Sequence, residues 1–332
     1  MKKSFLVDVP VKLNIWTRND CQKSQFEIIK IARPSILFLQ SDGGRNDLEW
    51  EKIYENRKYI ESNIDWDCKV YKIYESTNQG LYEMNRKVQE FIWKYVDRCI
   101  FLEDDHIPSV SFFSFCSELL ERYKDDLRIE MITGNNIFET YNKTDNDYFF
   151  SSTGWSIWGT ATWKNRVITN TFPLPYANDK YVIRNLKKGL SAFWFDKVKK
   201  YTKGILADGH IPGPEYYHGI SSALNHRVSI IPTKNLIKNV GLDGEHAKVK
   251  TKRNKYYKFY NTNIYEIDNP LKHPRYVIDD IRFGKEYSKK LGHSNSIVHL
   301  YLKKIQHAFK LLLRFKLIKT IIEKNKNTKT EK

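Results

Sequence analysis

Arg98-Cys99-Ile100-Phe101-Leu102-Glu103-Asp104-Asp105-His106-Ile107-Pro108 is the stretch on which the fold of this chain turns. Its first half is short and apolar, as suits a buried strand, and it stops abruptly in three consecutive carboxylates. The end of a strand is half-buried ground, where adjacent negative charges repel and lose hydration unless something neutralises them. A hard divalent cation with oxygen ligands does that. If the pleat persists, Glu103 and Asp105 point one way and Asp104 the other, so one face can hold a cation while the other meets a second ligand. The same acids also suit a helix N-terminus, and Pro108 and Ser109 do open a helical pattern. Both readings stand on the residues alone.

Outward from this stretch the first half of the chain alternates strand and helix patterns. Residues 11–16 read as a strand, 22–32 as a helix, 35–40 as a strand, 47–63 as a helix, 69–74 as a strand and 82–96 as a helix. After the strand at 98–102 come a helix over 112–123, with Ser109 or Ser111 as its cap, and a strand over 129–133. Such alternation predicts an α/β domain whose mostly parallel central sheet carries helices on both faces. Ligands of these sheets bind at the carboxyl ends of the strands. Three strands end there in polar residues: Thr17-Arg18-Asn19-Asp20, Ser41-Asp42-Gly43 and Glu103-Asp104-Asp105. Their coincidence at one edge predicts a nucleotide pocket. The second half is less regular, with a Gly- and Trp-rich segment at 151–163, a Pro/Gly turn cluster at 211–214 and a short strand at 228–231.

Composition bounds the function. The chain has 332 residues, 41% hydrophobic and 14% aromatic, enough for a full core. The formal net charge of +17 attracts polyanions such as nucleic acid, anionic lipid or phosphorylated substrates, unless it is lysine-rich composition bias. Cys21, Cys68, Cys99 and Cys116 form no C-x-x-C pair, so neither a zinc site nor a disulfide framework is signalled. Cys99 and Cys116 sit in apolar runs and read as buried. Asp8, Pro10 and Lys12 interrupt any signal-peptide core, and no stretch approaches the roughly 20 apolar residues of a membrane span. The expected place is the cytoplasm.

The run Phe101 to Pro108, followed by Ser111-Phe112-Phe113-Ser114-Phe115-Cys116, resembles the core of bacterial GT-A-fold glycosyltransferases that build surface polysaccharide. Their acidic motif is a relative of DxD. The similarity continues through Ile15-Trp16-Thr17-Arg18, Asp42-Gly43, Asn78-x-Gly80 before Arg86, and Thr133-Gly134-Asn135. The same layout is similar to the N-acetylglucosaminyltransferases that branch N-glycans, over about residues 10–250. The resemblance implies a GT-A fold, Mn2+ or Mg2+ as cofactor, and Asp105 as the direct metal ligand. It also implies Glu103 and Asp104 beside the nucleotide sugar, Arg18 and Asp42 against the nucleoside, and Arg86 near the diphosphate or ribose. From the residues alone, Arg18 could instead cap a strand end, Asp42 make a turn and Arg86 be a solvated helix residue.

Gly154-Trp155-Ser156-Ile157-Trp158-Gly159-Thr160-Ala161-Thr162-Trp163 resembles the family's Gly-Trp-Ala-Thr-Trp segment. Thr160 stands where tryptophan is usual, so Trp158 or Trp155 supplies the ring for the donor sugar, while Trp163 reads as core. An acceptor hydroxyl needs a general base. The matching position is Glu215, where the family more often has aspartate after tryptophan; Asp208 and His210 are local rivals. A carboxylate base implies one displacement with inversion. His246 falls where such enzymes place a histidine near the metal or diphosphate.

The expected layout is a catalytic domain over 1–250, with a nucleotide-sugar half at 1–135 and an acceptor half at 136–250, then a basic extension over 251–332. Within it, Val298, Tyr301, Leu302, Ile305, Ala308, Phe309 and Leu312 share one helical face opposite His299, Lys303, His307, Lys310 and Arg314. That predicts an amphipathic helix within 296–323 on an anionic membrane surface, or one packed on the domain, before a disordered tail. The implied partners are a nucleotide-sugar donor, UDP-linked by resemblance, and a glycan or lipid-linked glycan acceptor at the inner membrane face. Two other classes compete. A nucleic-acid-binding protein would use the charge, but no recognised motif appears and the acidic cluster opposes it. A sugar nucleotidyltransferase wants a glycine-rich phosphate loop near the N-terminus, and Thr17-Arg18-Asn19-Asp20 is not one.

Overall fold

The computed structural model describes residues 2–167, 176, 179–189, 199, 214–243, 257–260, 262–291 and 305. β1 (Val7–Ile15) lies inside the sheet, with Val9, Val11, Leu13 and Ile15 buried. β2 (Pro34–Ser41), β3 (Lys69–Tyr74) and β4 (Arg98–Leu102) run parallel to it in the order β3-β2-β1-β4. Strands covered on both faces need near-continuous apolar runs, and Ser35-Ile36-Leu37-Phe38-Leu39 supplies one. Leu37 and Leu39 enter the large core with Phe26 and Ile29 of α1 (Asn19–Ala32), Ile60 of α2 (Asp47–Ser62) and Phe112 to Leu120 of α4 (Ser111–Arg122). Phe38 faces the opposite side and packs on Met84, Val88 and Ile92 of α3 (Leu81–Ile92). The alternation of one strand thus places helices on both faces, as expected.

Beyond β4 the sheet departs from a purely parallel one. β8 (Thr160–Trp163) inserts antiparallel between β4 and β6 (Ile129–Thr133). β9 (Val228–Pro232) follows parallel to β6, and β7 (Tyr148–Ser151) closes the edge antiparallel, giving eight strands. A separate antiparallel ribbon pairs β5 (His106–Pro108) with β10 (Ile237–Asn239). Trp163 is core: it is buried, and its Nε1 donates to the Leu120 carbonyl at 2.9 Å. Cys99 and Cys116 are buried free thiols.

The cap of α4 also differs from the local reading. Neither Ser109 nor Ser111 caps it. The Glu266 carboxylate accepts from the amides of Val110 at 3.0 Å and Ser111 at 2.7 Å. A carboxylate satisfies orphan helix amides more strongly than a hydroxyl does, and this one arrives from far along the chain. Ser111 Oγ instead accepts from the Ile267 amide at 2.9 Å.

The described residues 257–260 and 262–291 are therefore stitched onto the sheet. Phe259, Leu291 and Phe283 of α8 (Ile281–Lys290) form a second core with Ile137, Tyr141, Phe149 and Ile231. The remaining described helices are α5 (Lys164–Val167), α6 (Lys180–Gly189) and α7 (Pro214–Asn225). Among the described residues no helix is long and apolar enough to cross a membrane. The amphipathic stretch at 297–315 lies outside the described residues apart from Ile305.

Candidate functional site

β4 ends at Leu102, and Glu103 to Asp105 form a tight turn before β5. The fully buried side chain of Gln25, on α1, cinches this turn: its Nε2 donates to the carbonyls of Glu103 at 2.7 Å and His106 at 2.6 Å. β10 closes the other side. Val240 N–H donates to the Asp105 carbonyl at 3.0 Å, and the Asn239 side chain tempers the upward push of burial on the Asp105 carboxyl. Gly241 follows, where a Cβ would come 2.0 Å from Asp105 Oδ2.

Glu103, Asp105 and His106 each place one ligand-capable atom within 4.8 Å of the others. Asp104 turns away and meets Arg18, Nε to Oδ2 at 3.3 Å. The division between Asp104 and the Glu103–Asp105 pair is the one the pleat predicts, although the backbone here is a turn. Asp104 Oδ2, Asp105 Oδ1 and His106 Nε2 are buried without a hydrogen-bond partner. Such atoms are uncommon: Asp104 Oδ2 has only the Arg18 charge beside it, and Asp105 Oδ1 and His106 Nε2 face each other at 3.4 Å. The Glu103 and Asp105 carboxylates are hard oxygen donors that suit Mn2+ or Mg2+.

The electrostatics agree. Burial pushes Glu103 well above the usual carboxylate range, and the Asp105 charge adds to this while Lys12 opposes it. Burial, then Asp105, moves Asp104 up to about 6 against the pull of Arg18. Asp105 is raised by burial. Burial lowers His106 to about 3, so its ring is neutral. Lys12, in the middle of β1, is buried and held below its ordinary value by desolvation, with Glu103 as the main opposing influence. Groups pushed this far from their ordinary values concentrate at functional sites.

Asp42 spends its carboxylate on the backbone: Oδ1 accepts from Gly43 and Gln79, both at 2.8 Å, and Oδ2 from Gly80 at 3.0 Å. It ties the end of β2 to the entry of α3. Arg86 pairs with Glu83 and Glu90 on the exposed face of α3, each at 2.6 Å. Trp155 is buried, and a Cβ on Gly219 of α7 would lie 3.6 Å from its ring. Trp158 is half-buried beside Tyr260, with ring centroids 4.9 Å apart. Glu215 is exposed in the first turn of α7, close enough that its charge contributes to the upward push on Glu103. Asp208, His210 and His246 lie outside the described residues.

The structure adds residues that pattern reading passed over. Tyr260 is half-buried where the charges of Asp105, Arg18 and Glu103 reach it. Glu130 on β6 is fully buried and accepts from Arg227 at 3.0 Å and Ser221 at 2.9 Å, with His218 Nδ1 at 3.1 Å, fastening α7 to the sheet. Lys12 did carry a signal, a charge between Val11 and Leu13 inside a strand pattern; Gln25 did not, because Gln22 makes the same helix face polar.

No protein-family profile matches this chain, and no curated protein matches it significantly. Among solved structures it is similar to a mannosyltransferase from Pyrobaculum calidifontis in complex with GDP-Man and Mn2+, with 9% identity, a TM-score of 0.34, and coverage of 66% of this chain and 72% of that one. It is also similar to a UDP-glucose pyrophosphorylase complexed with UDP-glucose, with 10% identity, a TM-score of 0.36, and coverage of 70% and 92%. Superpositions this loose fix neither activity nor substrate.

Proposed function

We propose that this protein is a divalent-cation-dependent GT-A glycosyltransferase that moves a sugar from a nucleotide-sugar donor, UDP-linked in the first instance, onto a glycan acceptor. The observation that carries the reading is the acidic turn at the carboxyl end of β4, where the Glu103 and Asp105 carboxylates converge and burial pushes both above the usual range, the Asp105 charge adding to the push on Glu103. Asp105 and Glu103 are the residues that would hold Mn2+ or Mg2+, with His246 a further candidate from the sequence. When bound, the cation offsets the negative charge that gathers on a departing nucleoside diphosphate.

The chain's own groups supply the rest. Arg18 holds Asp104 and presents a permanent positive charge at the same edge. Asp42 organises the β2–α3 junction on which the nucleoside would rest, and Arg86 stands on the helix beyond it. Trp158 and Tyr260 offer ring surface to a sugar, with Trp155, whose ring lies against Gly219 of α7, a further candidate from the sequence. Glu215 takes the proton from the acceptor hydroxyl as its oxygen bonds to the anomeric carbon and the bond to the leaving phosphate breaks, which inverts the configuration. By the sequence resemblance, the acceptor is a lipid-linked or lipopolysaccharide glycan at the inner membrane face, and the basic extension meets anionic lipid there.

The test is a panel of nucleotide sugars incubated with protein and Mn2+, reading nucleoside diphosphate release. Release from one donor, abolished by chelator, is expected. Consumption of a nucleoside triphosphate and sugar phosphate with release of pyrophosphate would make the protein a nucleotidyltransferase instead. Salt-sensitive DNA retention without any nucleotide effect would make it a nucleic-acid-binding protein.

A further inference from the structure

His106 is the most enclosed member of the acidic turn, with none of its surface exposed. Its Nδ1 faces two backbone amides: Glu103 N–H at 3.1 Å and Gly159 N–H at 3.3 Å. A backbone amide only donates, so Nδ1 is the acceptor and carries no proton. A neutral imidazole keeps one N–H, which must then sit on Nε2. Nε2 points at the acids, 3.4 Å from Asp105 Oδ1 and 3.8 Å from Glu103 Oε2, and has no formed hydrogen bond.

We propose that His106 serves the cation site as a hydrogen-bond donor to the Asp105 carboxylate and not as a metal ligand. This rests on the reading of the turn as a cation site. A protonated Nε2 has no lone pair to give a metal. Freeing it would move the proton to Nδ1, opposite two buried amides that would then have no acceptor. The alternative arrangement asks little: the torsion that carries a carboxylate is broad, and a modest rotation brings Asp105 Oδ1 onto the Nε2–H. That bond leaves Oδ2 to a cation and fixes which lone pairs point outward, as outer hydrogen bonds do for metal-binding carboxylates.

The Gly-Trp segment takes part in this arrangement. Gly159 has a φ of 59°, and a Cβ there would meet Ile237 Cγ1 at 2.4 Å. Glycine is therefore needed where the chain delivers its amide to the ring.

The experiment uses the full chain with 15N in its histidine rings. Ring-nitrogen shifts of His106, assigned by their loss in His106→Asn, should show the Nε2–H tautomer both metal-free and with saturating Mg2+. Pulsed electron-spin spectra of bound Mn2+ should show no nitrogen coupling that depends on His106. His106→Asn keeps an acceptor near the Nδ1 position but cannot reach Asp105; it should weaken Mn2+ and Mg2+ by the same factor, about 10-fold or more. His106→Gln, which restores a donor at that reach, should recover part of the loss.

A direct nitrogen coupling removed by His106→Asn overturns the proposal. So does unaltered Mn2+ and Mg2+ affinity, or a loss confined to Co2+, Ni2+ and Zn2+, the metals that favour imidazole. Should His106→Asn fail to fold, the loss of the same signals in His106→Gln assigns them, and the wild-type spectra with and without Mg2+ then decide it. Absence of any Mn2+ binding to the wild type is a different result, because it removes the cation reading as well.

Discussion

Asp105 Oδ2 lies in the space that a side chain at Gly241 would need, 2.0 Å from the position of its Cβ. The Val240 amide holds the Asp105 backbone in place, so the carboxylate can clear that space only by turning away from its present direction. Gly241→Ala should therefore push the carboxylate out of place while the sheet remains. We expect a folded protein whose Mn2+ affinity, by calorimetric titration, falls about 10-fold or more. Asp105→Asn, which removes the charge, should abolish metal-dependent donor binding. Wild-type affinity in a folded Gly241→Ala protein would separate Asp105 from the metal.

Asp104 gives the stability of the metal-free protein a pH dependence whose sign is fixed. Its unfolded value is near 3.8, and burial followed by the Asp105 charge moves the folded value up to about 6. Between these values the folded state keeps a proton that the unfolded state has lost, so the contribution is full below the first and disappears as pH rises through the second. Compared with Asp104→Asn, the metal-free wild type should lose melting temperature between pH 4 and 7. Mn2+ should stabilise more at pH 7 than at pH 5, because cation and proton compete for the same carboxylates. Equal stabilisation at both pH values would contradict this.

Glu215 stands at the start of a helix pinned by the buried Glu130, which meets Arg227, Ser221 and His218 within 3.1 Å. A base on so fixed an element can be tested without disturbing the donor side. Glu215→Gln should leave nucleotide-sugar binding nearly intact and slow transfer about 100-fold or more. The rival is Asp208. If Asp208→Asn shows that profile and Glu215→Gln does not, the base is Asp208.

The basic extension makes a separate prediction. Its apolar stripe and its lysines would act together, each nearby cation adding about 1 kcal/mol of attraction to an anionic surface. Ending the chain before Ser296 should release the protein from anionic liposomes and spare transfer to a small soluble acceptor. Salt should weaken liposome binding only in part, since screening removes the charge contribution and not the apolar one. An insoluble truncated protein would mean that the stretch packs in a core; a full-length protein that ignores such liposomes at low salt would exclude the membrane role.

The strand–helix alternation of the first half was legible because apolar period and element length agree there. Lys69 to Tyr74, Arg98 to Leu102 and Ile129 to Thr133 fall at the expected bounds. β8 was not legible: four residues rich in Thr and Trp have no period of their own, and their strand exists only through pairing with β4 and β6. The acids announced themselves by charge in an apolar setting. Glu266 on α4, Tyr260 beside Trp158 and Glu130 beneath α7 did not, because each partner lies far along the chain. Asp42 was visible as a turn former, and its carboxylate is engaged by backbone amides as that reading requires.

Gln25 offers the last test, because it couples the fold to the acidic turn through one amide. Its Nε2 serves the Glu103 and His106 carbonyls at once, and its Oε1 accepts from Gln22 Nε2 at 3.0 Å. Gln22 in turn reaches the end of β1, donating to the Asn14 carbonyl at 3.0 Å and accepting from the Trp16 amide at 3.2 Å. The ends of β1 and β4 are thus spaced by two side chains of α1. Gln25→Leu keeps the volume but removes the buried bond to the His106 carbonyl and leaves the Glu103 carbonyl with the His106 amide at 3.2 Å alone, at a cost of about 1–3 kcal/mol for a buried group left unsatisfied. The melting temperature should fall, and the loosened turn should bind Mn2+ more weakly, in one variant that touches none of the acids. If Gln25→Leu loses stability but binds Mn2+ like the wild type, the turn is held by β10 alone; if it loses neither, the amide is not holding these carbonyls.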